Sequence, residues 1–455
     1  MLHSNTGAAY ARAFDLVKHI QFDTEVEKIE FVPITQEEKP DLGTQGCPNW
    51  NIVAQDIVTG TVKSHLNIDT LILANGRHNL PHFPSATLPS TDATRGNPSQ
   101  LPGLNQWLEA DRAEHAMYYR MPNKKYRGRT ILVVGDGPSA RDIAPEIATV
   151  AKTVWRSIRK PTIPKAETGG LSDSTSADQQ KKDPLPIRFC GPVTSLGTPK
   201  AMYSDEDAVN VFFADGSSLS IDYIIFATGY ELSFPFLPAT ILEEHRLEQE
   251  DIFDTVQTEN NNTKNSPLSL YPLSLSPLLH HLLPFSLRLP LGSLFALGLP
   301  RPVVPFPLVQ VQCHLLTAAL QGRGQLHRLR QEMEAGVDQG PFYGGNADPG
   351  SCPDELELSR RYHLFPFPSD QFDYRESLTR LSLSTIDEGE IQFELERMVP
   401  VWQREVYDKK EALRAIWRDL ESRGLAHDTV RDVGNGADAE KEWVGLMEKL
   451  LQTAA

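Results

Sequence analysis

ILVVGDGPSARDIA, residues 131–144, decides the fold. Thr130 to Val134 is an apolar run with β-branched residues at 130, 131, 133 and 134, which predicts a buried strand. Gly135-Asp136-Gly137-Pro138-Ser139-Ala140 then fits G-x-G-x-x-G/A. In that turn Gly135 permits the tight reversal and Gly137 lets the backbone approach a pyrophosphate. Ala140 stands at the third glycine position, small enough for helix–strand packing. Ile143 and Ile147 lie four apart, as on the inner face of a helix whose N-terminal amides would receive phosphate charge. Pro145 opposes a regular helix, because it lacks an N–H and crowds the carbonyl of Arg141, so a kink or irregularity is expected there.

The next strand candidate, Thr153 to Ser157, ends 22 residues after Gly135, near the roughly 20 expected for the residue that reads the ribose. NADH recognition would call for Asp or Glu. Arg156, Ser157, Arg159 and Lys160 stand here instead, and cations with a hydroxyl suit the 2′-phosphate of NADPH.

An internal repeat extends this reading. Residues 68–76 read IDTLILANG and residues 221–229 read IDYIIFATG. Each follows a hairpin signal, Thr59-Gly60 and Asp215-Gly216. A strand apolar throughout predicts a parallel sheet with helices on both faces. The chain is therefore expected to be α/β, with two dinucleotide-binding (Rossmann-like) units. The second unit's glycine turn precedes its closing strand by 86 residues, and residues 1–40 hold one glycine, Gly7. The first unit is expected to lack a phosphate loop of its own.

Composition excludes some classes. The 455 residues are 40% apolar, enough for two or three domains with real cores. A net charge of −16 offers no footprint for nucleic acid. Cys47, Cys190, Cys313 and Cys352 form no CxxC, which speaks against a zinc ribbon or a redox dithiol and for free thiols in a reducing, cytoplasmic setting. The apolar region Leu268 to Leu320 is broken by prolines and by Arg288 and Arg301, so it reads as loops and core rather than a transmembrane segment. Lys165–Asp183, Thr258–Asn265 and Gly336–Asp354 are polar and read as surface insertions or linkers. Val406, Leu413, Ile416, Trp417 and Leu420 fall at helical spacing and predict core-packed C-terminal helices.

Longer segments resemble the flavin-containing monooxygenase family, especially its fungal members. They are AYARAFDLVKHIQFDTEVEKIEF (9–31), LILANGRHNLPHFP (71–84), HAMYYRMPNKKYRGRTILVVGDGPSARDIAPEI (115–147), SIRK (157–160), FATGY (226–230) and LFALGLPRPVVPFPLVQVQ (294–312). FDYRESLTRL and REVYDKKEALRAIW near the C-terminus are also similar. The family fingerprint FxGxxxHxxxY is half present: His115 and Tyr119 keep the spacing, while Glu109 and Asp111 replace Phe and Gly. The family's first GxGxxG, which holds the FAD pyrophosphate, would lie upstream of Met1, so an N-terminally truncated FAD-type domain is expected.

The resemblance implies FAD and NADPH as cofactors. It implies oxygenation of a small nitrogen or sulfur nucleophile by O₂ through a flavin C4a-hydroperoxide. A non-catalytic NADP(H)-binding remnant is the alternative. NADPH would be held by Gly135, Gly137, Pro138, Ser139, Ala140, Ser157, Arg159, Thr228, Gly229 and Tyr230, and FAD by Val26, Ala74, Asn75, Gly76 and Gln312. No acid–base triad is found, and His78 and His115 suit hydrogen bonding only. The missing CxxC argues against a disulfide reductase, and the absence of Trp-Pro near His115 against a Baeyer–Villiger oxygenase. The expected layout is a FAD-type region at 1–120 and 225–335, an NADPH domain at 121–224, a linker at 336–368 and helices at 369–455.

Overall fold

The computed structural model describes residues 2–32, 50–84, 101–158, 187–199, 208–244, 369–384, 387–435 and 438–453. It also describes most of 268–325, with 363 and 365. The three polar stretches, Arg159, Lys160, Cys47 and Cys352 lie outside the described residues.

The repeat is structural. After helix α1 (Leu2–Ala13), strands β1 (Thr24–Phe31), β2 (Trp50–Asp56) and β3 (Val62–Ile68) form an antiparallel meander, and β4 (Leu71–Leu73) follows at once. The second unit repeats the plan further along. The intervening elements are β5 (Leu80–Pro81), α2 (Leu104–Glu109), β6 (Ala113–His115), β7 (Thr130–Val134), α3 (Pro138–Ala148), β8 (Thr153–Ser157) and β9 (Arg188–Cys190). Then β10 (Val193–Leu196), β11 (Val209–Phe213) and β12 (Ser218–Ile221) form a second meander, and β13 (Tyr223–Phe226) leaves it directly. Both hairpins turn as their sequences predict. Asp56 Oδ1 accepts from the amides of Val58 and Thr59 before Gly60 at φ +71°. Asp215 Oδ1 accepts from Ser217 N around Gly216 at φ +82°.

The second unit's parallel sheet runs in the order β6-β13-β7-β8-β9. Its strands alternate two apolar faces. Ile131, Val133, Val154, Tyr223 and Ile225 pack with Ala140, Ile143, Ala144 and Ile147 of α3. Leu132, Val134, Ile224 and Phe226 pack with Val211, Phe213 and Ile221 of the meander and with Leu104 and Trp107 of α2. Each fully buried Ile or Val contributes about 1.5–3 kcal/mol. Helices on both faces were expected. The finding is a helix on one face and mainly an antiparallel sheet on the other, which buries the same side chains equally well. Residues on either side of the expected 120/121 and 224/225 boundaries share this one sheet, through β6 and β13.

β14 (Tyr230–Glu231) pairs with β5. The Leu/Pro/Ser-rich region becomes short, largely buried strands: β16 (Leu268–Tyr271) and β17 (Ser274–Ser276), which join the preceding β15 (Leu242–Glu244) in one sheet, β18 (Leu278–Leu279) with β19 (Leu283–Pro284), and β20 (Leu294–Ala296). β20 runs parallel to β4, Leu294 opposite Leu71 and Ala296 opposite Leu73. Helix α4 (Pro305–Leu320) then packs on α5 (Asp370–Ser382) through Leu308, Val311, Leu315, Phe372 and Leu378. Among the described residues no helix is long and apolar enough to cross a membrane.

The C-terminal helices are α6 (Glu388–Met398), α7 (Val401–Asp408), α8 (Lys410–Ser422), α9 (Ala426–Val430) and α10 (Ala439–Thr453). The stripe Val406, Leu413, Ile416, Trp417 and Leu420 faces inward but is only half-buried, and α7 and α8 have no fully buried residue. Periodicity found the right face and overstated its depth. The expected linker also contributes to the core: His363 and Phe365 are buried.

Candidate functional site

The glycine turn leaves β7 where three strand ends meet. Gly135 has φ +128°, and a Cβ there would collide with the Ala227 carbonyl oxygen at the end of β13. Its amide donates to Ser157 O at 3.0 Å, tying the turn to the end of β8, while Ala227 N donates to Val134 O at 2.8 Å. Only glycine permits this approach.

Gly137 has a different reason to be glycine. It is the extended N-cap of α3 (φ −74°, ψ 176°), and nothing stands within 4 Å of an added Cβ. The turn thus opens onto free space at a helix N-terminus, where the dipole and amides favour an anion. Pro138 occupies the first helical position, where its missing N–H costs nothing. Ser139 is exposed, and Ala140 is sealed against the sheet. α3 continues through Pro145, so the proline does not end the helix. Burial of Ile143, Ala144 and Ile147 beside it outweighs the one lost ladder bond.

Charge in the turn is balanced internally. Asp136 Oδ1 lies 2.5 Å from Arg156 Nη2 and 3.6 Å from Arg141 Nε. Arg156 is 9% exposed and stacks over the Phe189 ring at 5.4 Å. The reading of Arg156 as a free cation for a 2′-phosphate is therefore corrected: it neutralises the turn's own carboxylate. Ser157 is buried, and its hydroxyl donates to Gly191 O at 2.8 Å, so its proton is already engaged. Arg159 lies outside the described residues.

The segments after the two repeat motifs meet. Thr228 Oγ1 donates to His82 O, His82 N donates to Gly229 O at 3.0 Å, and Tyr230 pairs with Pro81. Tyr230 stands edge-on to His78 (4.8 Å) and His115 (5.1 Å). His115 Nδ1 accepts from Met117 N at 3.1 Å, and burial holds its pKa below the ordinary imidazole value. Tyr119 donates to Glu146 of α3 at 2.9 Å, which ties the segment after His115 to the nucleotide helix.

The residues expected at FAD divide into groups. Ala74, Asn75 and Gly76 are exposed at the exit from β4, with Gly76 at φ +77° and Asn75 Nδ2 donating to Ser233 O at 3.1 Å. Val26 is 37% exposed beside a register shift in β1. Gln312 differs: it is fully buried on α4, accepting from Gly298 N at 2.9 Å and donating to Tyr374 OH at 2.9 Å, which donates on to His280 O at 2.7 Å. That chain fixes β20 to α4 and α5 and presents no Gln312 atom to solvent. Its expected cofactor contact becomes a structural one, because an amide in an apolar core must satisfy both its ends.

Sequence reasoning missed three features. Asp136 and Arg156 are 20 residues apart, and only the β7–β8 register unites them. Arg77 reaches the carbonyl of Leu299, two residues before Arg301, only because β4 and β20 are neighbours. His281 and His363 stand with Nδ1 atoms 2.8 Å apart in the core, a pairing with no local signal in sequence.

Residues 6–163 match the family described as flavin-binding monooxygenase-like. A flavin-containing monooxygenase of Arabidopsis thaliana, FMO GS-OX-like 2, is 25% identical over 414 residues, which cover 90% of this chain and 68% of that protein. Flavin-containing monooxygenase iboF of Amanita muscaria is 31% identical over 249 residues, 50% of this chain and 40% of that one. Human flavin-containing monooxygenase 2 is 25% identical, covering 69% and 56%. The chain thus spans between two fifths and about two thirds of these relatives. Among solved structures, the S-allyl-L-cysteine S-oxygenase of Allium sativum superposes with a TM-score of 0.51 at 20% identity, covering 98% of this chain and 75% of that one, and shares the fold.

Proposed function

Because this chain is a relative of the flavin-containing monooxygenases, we propose that it is an NADPH- and FAD-dependent monooxygenase acting on a small nitrogen or sulfur nucleophile with O₂. The observation that carries the reading is the open turn at Gly137. It offers a helix N-terminus and free space to a pyrophosphate, with the one carboxylate in the turn already neutralised by Arg156. A phosphate approaching an unpaired Asp136 would be repelled. Paired, the turn presents its amides without that penalty.

In this reading Gly135, Gly137, Pro138, Ser139 and Ala140 receive the NADPH pyrophosphate, and Arg159 with the end of β8 receives the adenosine half. Thr228, Gly229 and Tyr230 border the nicotinamide half, where Tyr230 is braced by His78 and His115. The FAD-type region comprises the parts of 1–120 and 225–335 that lie outside β6 and β13, with Val26 and the Ala74-Asn75-Gly76 exit from β4 at its cofactor face. FAD, when bound and reduced by NADPH, supplies the oxygen-activating chemistry. This chain's residues bind, orient and exclude water. A cytoplasmic location is part of the same reading, consistent with the free Cys190 and Cys313 thiols.

A second reading, an NADP(H)-binding protein without flavin chemistry, has one observation in its favour. Among the described residues β4 has a single ladder partner, β20, and Ile72 between its two buried leucines is 40% exposed. Visible absorbance of the purified chain separates the two. Flavin bands with substrate-stimulated NADPH oxidation support the monooxygenase. A colourless protein that binds NADPH supports the second reading.

A further inference from the structure

β4 and β20 are parallel neighbours, so whatever follows each strand emerges at the same end of the pair. Arg77 follows β4 by four residues and Arg301 follows β20 by five. The Arg77 side chain and the Arg301 backbone are both held by the protein. Arg77 Nη1 donates to Leu299 O. The Arg301 backbone is clamped on both sides, its amide donating to His363 O at 2.7 Å and its carbonyl accepting from Phe365 N at 2.8 Å.

Among the described residues the two cations have no counter-ion: neither pairs with a carboxylate, and each keeps a buried N–H without an acceptor, Arg77 Nη2 and Arg301 Nε. Burial, and then the charge of Arg301, pushes the Arg77 pKa down to about 10, and burial lowers that of Arg301. Their neighbours are neutral. His78 and His363 are both held below the ordinary imidazole value, burial first, with Arg77 and Arg301 adding to it. His363 cannot turn to them as an acceptor. Its Nε2 accepts from Leu275 N at 3.2 Å, so its proton is assigned to Nδ1, which faces His281 Nδ1. Two half-buried like charges, each with an orphaned buried donor, are costly in a folded protein unless an anion completes them.

This strand end is accessible. Gly76, next to Arg77, has nothing within 4 Å of an added Cβ, and both arginines remain partly exposed. Paired guanidinium forks match the oxygens of a carboxylate or phosphate. We infer that Arg77 and Arg301 form an oxyanion-binding site, distinct from the glycine turn, that takes the carboxylate or phosphate group of a ligand reaching the β4–β20 end. The inference does not depend on the monooxygenase reading.

Arginine-directed labelling of the full chain with phenylglyoxal, mapped by peptide mass, tests it. Inorganic phosphate, malonate and NADP⁺ are the probes, with chloride at matched ionic strength as reference. Labelling of Arg77 and Arg301 should fall at least fivefold with phosphate or malonate while exposed Arg423 is unchanged. Protection extending to NADP⁺ assigns the anion to a nucleotide phosphate, and protection by malonate without NADP⁺ assigns it to a carboxylate. No protection by any probe, or equal protection by chloride, overturns the site. As a second readout, phosphate should raise the melting temperature of the wild type and not of Arg77→Gln/Arg301→Gln. An equal rise in both also overturns it.

Discussion

The two copies of one unit differ most at their closing strands. β13 lies between β6 and β7, and all four of its residues are fully buried. β4, with nearly the same sequence, pairs with β20 alone among the described residues and leaves Ile72 40% exposed. The glycines at the two exits are alike, Gly76 (φ +77°) and Gly229 (φ +88°) each with nothing within 4 Å of an added Cβ. The constraint falls instead on Gly135 of the neighbouring β7 turn, which is wedged against Ala227 at the end of β13 and has no counterpart beside β4 among the described residues. The same local code is thus embedded in one case and peripheral in the other. Neighbouring strands, rather than the motif itself, set how tightly it is constrained.

The largest expected effect exploits that contrast. Gly135→Ala forces a side chain into the Ala227 carbonyl at a φ that L-residues avoid, and should destabilise the fold by about 4 kcal/mol or more. Gly76→Ala meets no atom and should cost about 1–2 kcal/mol for its left-handed backbone. Denaturant unfolding of both variants checks this, and equal losses would break the comparison.

Acid should separate the same two regions. Burial lowers the His280 pKa to about 4 and that of His281 to about 3, and holds His363 well below 6.5. The unfolded chain binds these protons near pH 6.5 and the folded chain does not. Stability is therefore full above about pH 6.5 and declines as pH falls towards the folded values. At pH 6 the three together should cost about 2.5 kcal/mol relative to pH 7.5. Hydrogen exchange should show the loss in 268–325 before 130–226. A uniform response would contradict the assignment.

Much of this was legible in sequence because it is local. IDTLILANG and IDYIIFATG, their hairpin turns and the strand–turn–helix around Gly135 carry their own geometry in residue type. What was missed depends on register and depth. Arg156 is beside Asp136 only because β7 and β8 pair Val133 with Arg156. Gln312 is expected at FAD from the resemblance alone, which carries no information on its depth, and in the fold it is fully buried. The Val406–Leu420 stripe gave the correct face, and periodicity carries no information on how much of that face is covered.

Two smaller effects sharpen the nucleotide end of the comparison. Arg156→Met leaves Asp136 without its buried partner and should weaken NADPH binding about tenfold, or ~1.4 kcal/mol, with Asp136→Asn added to Arg156→Met restoring most of it. No rescue by the second substitution would reject charge balance as the role of the pair. Arg159→Ala should weaken NADPH binding severalfold and NADH binding hardly at all. Equal losses would remove the 2′-phosphate assignment.

The most direct measurement is a fluorescence titration of NADPH into wild type and Gly137→Val, with circular dichroism of both. Gly137 has room for a side chain and an ordinary backbone conformation, so the variant should fold as wild type does. Its side chain would fill the pyrophosphate's space, and NADPH binding should drop at least a hundredfold. A folded Gly137→Val that binds NADPH as tightly as wild type would contradict the turn as the nucleotide site.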